Sequence, residues 1–332
     1  MLLAVFLLLL SAALIYLACE WFINAVEWLG ARMQVGTVAV GSVLAAVGTA
    51  LPESVVTLVA VLLPGSDPEA RDEIGIGAAM GGPLVLSTIA YAVIGAVLML
   101  VHRSAKVRPA GSDELLEDQG WFFVIFIAKL VLGIVVFSWK PWLAIAFLLA
   151  YALYVHRELR SAKVDGAHSD EDLEPLRLQP KRGRPATWAI AVQTVGTLAV
   201  IFAASQLFVI QIESIGPQLG LAPAVTALLL SPIATELPEV LNAVIWVRRG
   251  KSELALANVA GSMMIQATVP SAIGIAFTPW HFTPTVTLAG VMTLVSIALM
   301  LLLGRLRKLT AGTMLIGVAL YGAFFVGMLI LQ

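Results

Sequence analysis

The sequence predicts an all-α polytopic membrane protein: about ten transmembrane helices in two inverted five-helix repeats, with helices 2 and 7 broken. Three observations predict it. The 332 residues are 60% hydrophobic and only 12% charged, and the mean hydropathy of +0.95 excludes an ordinary soluble domain. Apolar runs of about 20 residues, the length a helix needs to cross the hydrocarbon core, recur along the chain. Two short stretches, GTALPE (Gly48 to Glu53) and ATELPE (Ala234 to Glu239), nearly repeat each other. Each sets a carboxylate directly after a helix-breaking proline inside such a run, where an ionisable side chain is costly and marks a functional site.

The spans follow in order. Residues 2–29 are apolar from the start, with no basic stretch ahead and no small-residue cleavage site behind, so they read as a membrane helix and not as a signal peptide. Residues 35–63 carry GTALPE at their centre, and 73–101, 119–138 and 141–157 complete the first half. Lys129 falls inside the fourth of these, where a long amphipathic side chain is expected to snorkel. The second half comprises 186–211, 221–247 with ATELPE, 252–277, 284–304 and 309–331. The chain thus divides into a first repeat (1–157), a charged linker (158–185) and a second repeat (186–332). That linker holds Asp170, Glu171, Asp172 and Glu174 and ends in Lys181, Arg182 and Arg184, a composition expected to stay solvated.

Charge sets the orientation. With ten spans, loops alternate sides, and one side collects Arg32, Arg103, Lys106, Arg108, the linker cations, Arg248, Arg249, Lys251, Arg305, Arg307 and Lys308. Only Arg71 and Lys140 fall on the other. The positive-inside rule then places the linker in the cytoplasm and both termini outside. The short loops suggest a cell membrane. Trp28, Trp121, Trp139, Trp142, Trp188, Trp246 and Trp280 lie near span ends, as an interfacial aromatic belt would.

Setting Glu53 over Glu239 gives an offset of 186 residues that also sets Glu27 over Glu213 and Gly30 over Gly216. Five spans per half is an odd number, so the second half enters the membrane from the opposite side and the repeats are inverted. That is an architecture for alternating access at a midplane site. Glu20, Glu27 and Glu213 lie nearer helix ends, where solvated or capping roles are expected. The single Cys19 excludes a disulfide framework and any multi-cysteine metal site. No nucleophile–base pair or HExxH motif supports an enzyme, no resident cofactor is expected, and nothing points to nucleic acid. The expected partners are inorganic cations and the lipid bilayer.

These residues resemble the cation/calcium exchanger superfamily, whose repeats carry G-T-S-L-P-E in the second helix of each half. The segment LACEWFINAVEWLGARMQVGTVAVGSVLAAVGTALPE, Leu17 to Glu53, is similar to the family's first repeat throughout. The resemblance implies the inverted-repeat fold, with helices 3 and 8 broken as well as 2 and 7, and cation exchange. It also brings departures into view. Ala50 stands where the family has serine, and Glu236 stands at the equivalent serine of the second repeat. The family's third and eighth helices carry G-S-x-x-x-Asn/Asp. Here the third has Gly81, Gly82 and Leu86, while the eighth has Gly261, Ser262 and Gln266.

The resulting candidate ligand set is Glu53, Glu239, Glu236, Thr49, Thr235, Ser262 and Gln266. Pro52 and Pro238 free carbonyls three or four residues back, near Thr49 and Thr235, and such backbone survives at membrane depth only inside protein or along a cavity. All donors are hard oxygens, which suits calcium, sodium or manganese better than zinc or copper. The expected function is secondary active antiport, exporting Ca2+ in exchange for H+ or Na+. The alternatives are a transport-inactive sensor or scaffold, or an antiporter for another cation such as Mn2+. Calcium here is cargo.

Overall fold

The computed structural model describes residues 2–50, 54, 68–161, 173–218 and 235–331, and its regular elements are all helical, with no strand among the described residues. In chain order they are α1 (Leu2–Met33), α2 (Thr37–Ala39), which runs into a π-helical segment (Val40–Ala45), and α3 (Pro68–Val85). A second π segment (Leu86–Ala90) joins α3 to α4 (Tyr91–His102). Then come α5 (Ser112–Ile134), a 3-10 turn (Lys140–Leu143), α6 (Ala144–Ser161) and α7 (Thr187–Gln218). The second half ends with α8 (Leu237–Arg248), α9 (Ser252–Phe277), α10 (Pro284–Arg305), α11 (Ala311–Met314) and α12 (Ile316–Leu331). Seven helical stretches among the described residues are long and apolar enough to cross a membrane. α5, with four acidic residues in its first two turns, occupies the place of the fourth span. The expected second and seventh spans are described only as far as Ala50 and from Thr235 onward.

The irregularities take specific forms. The second and third helices each contain a π segment, a local widening that recurs at functional sites. α8 begins immediately after Glu236, with Pro238 in its first turn, where the missing N–H costs nothing. α9 runs unbroken with Pro270 inside it.

α9 lies at the centre, packed against α3, α5, α6, α8 and the first π segment, and is buried along nearly its whole length. Small residues permit this. A Cβ at Gly261 would fall 2.0 Å from the Ser42 carbonyl oxygen, and one at Gly41 would fall 2.8 Å from that of Leu254. Close backbone approach of this kind is how membrane helices associate without a hydrophobic driving force. α1 and α7, the equivalent first helices of the two repeats, form the most extensive helix pair among the described elements.

Several expectations change on contact with the structure. Trp121, Trp139, Trp142 and Trp188 are exposed as a belt requires, but Trp28, Trp246 and Trp280 are buried. Their indole N–H groups are used inside: Trp28 donates to the Glu174 carbonyl (2.8 Å), Trp246 to Glu27 Oε1 (2.9 Å) and Trp280 to the Lys129 carbonyl (3.4 Å). Glu27 is therefore no solvated end residue. It is 3% exposed and clasps Trp246 and Lys251 of the other repeat, the latter at 2.6 Å. The described part of the linker is likewise not free in solvent. Leu176 is fully buried beside Trp28 and Ile190, Asn24 bridges to Arg177 N and to the Glu174 and Pro175 carbonyls, and Arg177 pairs with Glu20. The charged run predicted solvation, but Leu173 and Leu176 pack against α1 and α7, the two long first helices of the repeats. α6 extends to Ser161, four residues past the expected boundary at 157.

Candidate functional site

Glu53 lies outside the described residues, as do Pro52 and Pro238's counterpart turn from 51 to 53. The second-half motif is described from Thr235. Glu236 precedes α8 with φ −85° and ψ 2°, and Glu239 sits in its first turn. Each is only 1% exposed. The positive end of α8 offsets part of their negative charge, since the first N–H groups of a helix have no partner within it.

Opposite them runs a polar stripe on α9. Asn258, Ser262 and Gln266 follow at i, i+4 and i+8, so they share one face, and all are buried to 1% or less. Gln266 Nε2 donates to Glu236 Oε1 at 2.8 Å, and Asn258 Nδ2 donates to the Glu239 carbonyl at 3.4 Å. Ser262 Oγ and Asn258 Oδ1 find no hydrogen-bond partner among the described residues, nor do either of the amide atoms of Asn242, one turn beyond Glu239. Orphaned buried polar atoms are rare and mark a strain, a water or an ion. Four of them on two facing helices define a polar interior.

Gly82 faces the Glu236–Gln266 pair. A Cβ at this position would fall 2.6 Å from both Glu236 Oε1 and Gln266 Oε1. The third helix has given up the side chain the resemblance leads one to expect there, and the acid at 236 fills that volume.

Lys129 does not snorkel. It is fully buried, and its ammonium donates to the carbonyls of Ala79 (2.6 Å) and Gln266 (3.3 Å), with its Nζ 5.1 Å from the Phe126 ring centre. The α5 face that carries it also buries Asp118, Gln119, Phe122 and Phe126 against the bundle, so its stem has no route to the interface. It ties α3 to α9 next to the carboxylate–amide pair.

The remaining candidates divide. Thr49 is buried, but its hydroxyl donates to the Ala45 carbonyl of its own helix at 3.2 Å. Thr235 is half-buried at the entry to α8. Ala50 packs with Ala46 and Ile265. Cys19, from α1, sets its Sγ 3.8 Å from the Pro238 carbonyl oxygen. Among the described residues, no cluster of three or more His, Cys, Asp or Glu side chains is assembled. Sequence reasoning missed Asn242, Asn258 and the space at Gly82. The first two were signalled by their spacing, three from Glu239 and four from Ser262, on helices with few other polar residues.

Comparison with known proteins agrees with this fold. The profile of the family described as Sodium/calcium exchanger protein matches residues 3–157 and 189–331. Uncharacterized membrane protein MJ0091 of Methanocaldococcus jannaschii is 24% identical over 81% of this chain and 80% of its own length. Inner membrane protein YrbG of Escherichia coli K12 is 25% identical over 98% of this chain and 96% of its own. The solved sodium-calcium exchanger NCX_Mj shares the fold, with a TM-score of 0.75 at 20% identity over 98% of this chain and 99% of that one. Both matched segments of the family profile take in one of the Leu-Pro-Glu motifs and stop short of the linker, and the chain is a multi-pass membrane protein that belongs to the sodium/calcium exchanger protein family.

Proposed function

We propose that the chain is a secondary active cation antiporter that moves Ca2+ out of the cell in exchange for H+ or Na+, by alternating access at a site built around Glu53, Glu236 and Glu239. The observation that carries this reading is the burial of Glu236 and Glu239 at the start of α8 against Gln266 and the unpartnered Ser262. Two carboxylates, an amide oxygen and a hydroxyl are hard donors of the kind calcium takes in six- to eightfold coordination, and Thr49, Thr235 and Glu53 would complete the set. Family membership supports cation antiport in general. Calcium as cargo, the counter-ion and the roles of individual side chains are our reading.

The donor set favours the proton as counter-ion. Gly82, Leu86 and Ala50 supply no side-chain oxygen, which thins the shell that several sodium ions would need, and Lys129 Nζ already occupies the Gln266 carbonyl. The same thinning is what favours the second reading, a transport-inactive member of the fold. We place the linker in the cytoplasm on the distribution of Lys and Arg.

Calcium flux into liposomes tests both readings. A pH gradient and a sodium gradient are imposed separately, with Glu239→Gln as control. Uptake driven by the pH gradient and abolished by the substitution is the expected result. Uptake driven only by sodium overturns the assignment of the counter-ion. Absence of flux under either gradient, with manganese also tried, overturns the transporter reading.

A further inference from the structure

A second group of buried carboxylates lies on the linker side of α8's first turn. Asp118 stands in the second turn of α5 and Glu158 in the last turn of α6, 2% and 5% exposed. Ser42, in the first π segment, donates to Glu158 Oε2 at 2.9 Å. Tyr154, one turn before Glu158, is fully buried with its hydroxyl turned toward Asp118, Glu158 and Ser42. It lies within reach of Asp118 and Ser42 but closes no well-aligned hydrogen bond among the described residues, and neither do Asp118 Oδ2 and the Oε1 of the adjacent Gln119. Gln119 spends its Nε2 on the Tyr91 hydroxyl, 2.7 Å away. The cluster thus presents unpartnered oxygens from α5 and α6, and Ser42 adds a third element.

Its charge is only partly balanced by the protein. Arg157 pairs with Glu117 at 2.6 Å on the more exposed rim of the group, and the same guanidinium also acts on Asp118 and Glu158, which lie within reach of one another. One cation is thus shared among three carboxylates, and buried charge that its partners compensate incompletely is unfavourable. Two carboxylates, two hydroxyls and an amide oxygen are hard donors, complementary to a hard cation.

The position gives the group a role. Ser42 packs on Gly261, five residues before Gln266 on α9, which is about 7.5 Å of helix rise toward the linker end. Glu117 and Arg157 lie at its outer edge, partly exposed. We propose that Asp118 and Glu158, with Ser42, Tyr154 and Gln119, form a second cation site that takes one hard divalent ion on the linker side of Glu236 and Glu239. An ion held there is one step from the central carboxylates, and a cation entering from that side meets this group first.

The test is equilibrium binding of radiolabelled calcium to the purified full-length protein in detergent, using wild type, Asp118→Asn, Glu239→Gln and the double variant. The expected result is that Glu239→Gln retains about one bound calcium and that Asp118→Asn, in either background, removes one equivalent or weakens it at least tenfold. Glu158→Gln should do the same, and calcium retained at the central site in Asp118→Asn shows that the variant is folded. If Asp118→Asn and Glu158→Gln both bind calcium as wild type does, or if Glu239→Gln binds none, the second site is overturned and the pair holds a shared proton instead. If Glu239→Gln changes nothing while Asp118→Asn abolishes all binding, the second site stands and the proposed role of Glu239 falls.

Discussion

Restoring a side chain at Gly82 is the sharpest test of how this site was rebuilt. In Gly82→Ser the new Cβ would fall 2.6 Å from Glu236 Oε1 and from Gln266 Oε1, against an ordinary contact of 3.4 Å or more, so each oxygen has to retreat by about 0.8 Å. Neither has free space. Both residues are 1% exposed and joined to one another at 2.8 Å. The substitution must therefore break or displace that bond, and over-packing of this kind costs about 1–3 kcal/mol. At 1.4 kcal/mol per tenfold change, calcium affinity is expected to fall by roughly 5- to 150-fold. In Glu236→Ser the obstructing carboxylate is gone, and the second helix motif reads A-T-S-L-P-E. If the glycine and the acid are one change, Gly82→Ser should be nearly neutral in that background. The coupling between the two sites should then lie in the range of about 0.5–3 kcal/mol seen for residues in contact. Thermal unfolding in detergent and calcium flux in liposomes both report it. Gly82→Ser that matches wild type in both assays, or a double variant whose losses simply add, refutes the reasoning.

Three further outcomes follow from the same packing. Lys129→Met leaves the Ala79 carbonyl without its lysine donor, while the Gln266 carbonyl keeps the Ser271 hydroxyl at 3.1 Å. A buried acceptor left in this way costs about 1–3 kcal/mol, so the unfolding midpoint should drop, and Lys129→Arg, with a bulkier head in a fully buried place, should not rescue it. Trp246→Phe removes the indole N–H held by Glu27 Oε1. A loss of about 1–3 kcal/mol in thermal stability is expected, with the effect largely unchanged by salt because Glu27 is 3% exposed. Cys19 is fully buried beside Pro238 and is the chain's one cysteine. A membrane-permeant maleimide should label it far more slowly in the native protein than after denaturation, and labelling at equal rates in the two states would contradict its placement.

Much of this architecture was legible in the sequence because the bilayer leaves few solutions. Spans of the right length, a polar linker at the middle and a repeated Leu-Pro-Glu could hardly belong to another kind of fold. The candidate residues of the second half were legible for a related reason: a glutamate, a serine or a glutamine in a buried apolar helix stands out by type alone. What stayed hidden was partnership. Nothing in the residue types distinguishes Trp246, turned inward onto Glu27, from Trp188, which faces outward. Lys129 has the stem of a snorkelling side chain, and only the α5 face it shares with Phe122 and Phe126 sends it inward to two carbonyls. Gly82 was visible only as something missing. Its meaning required the distance to Glu236, a residue 154 positions away. A region packed between two inverted repeats makes this unavoidable, since each half contributes volumes as well as polar groups. Paired substitutions across the halves, such as Gly82→Ser with Glu236→Ser, therefore isolate the packing between repeats that a single substitution leaves mixed with the chemistry.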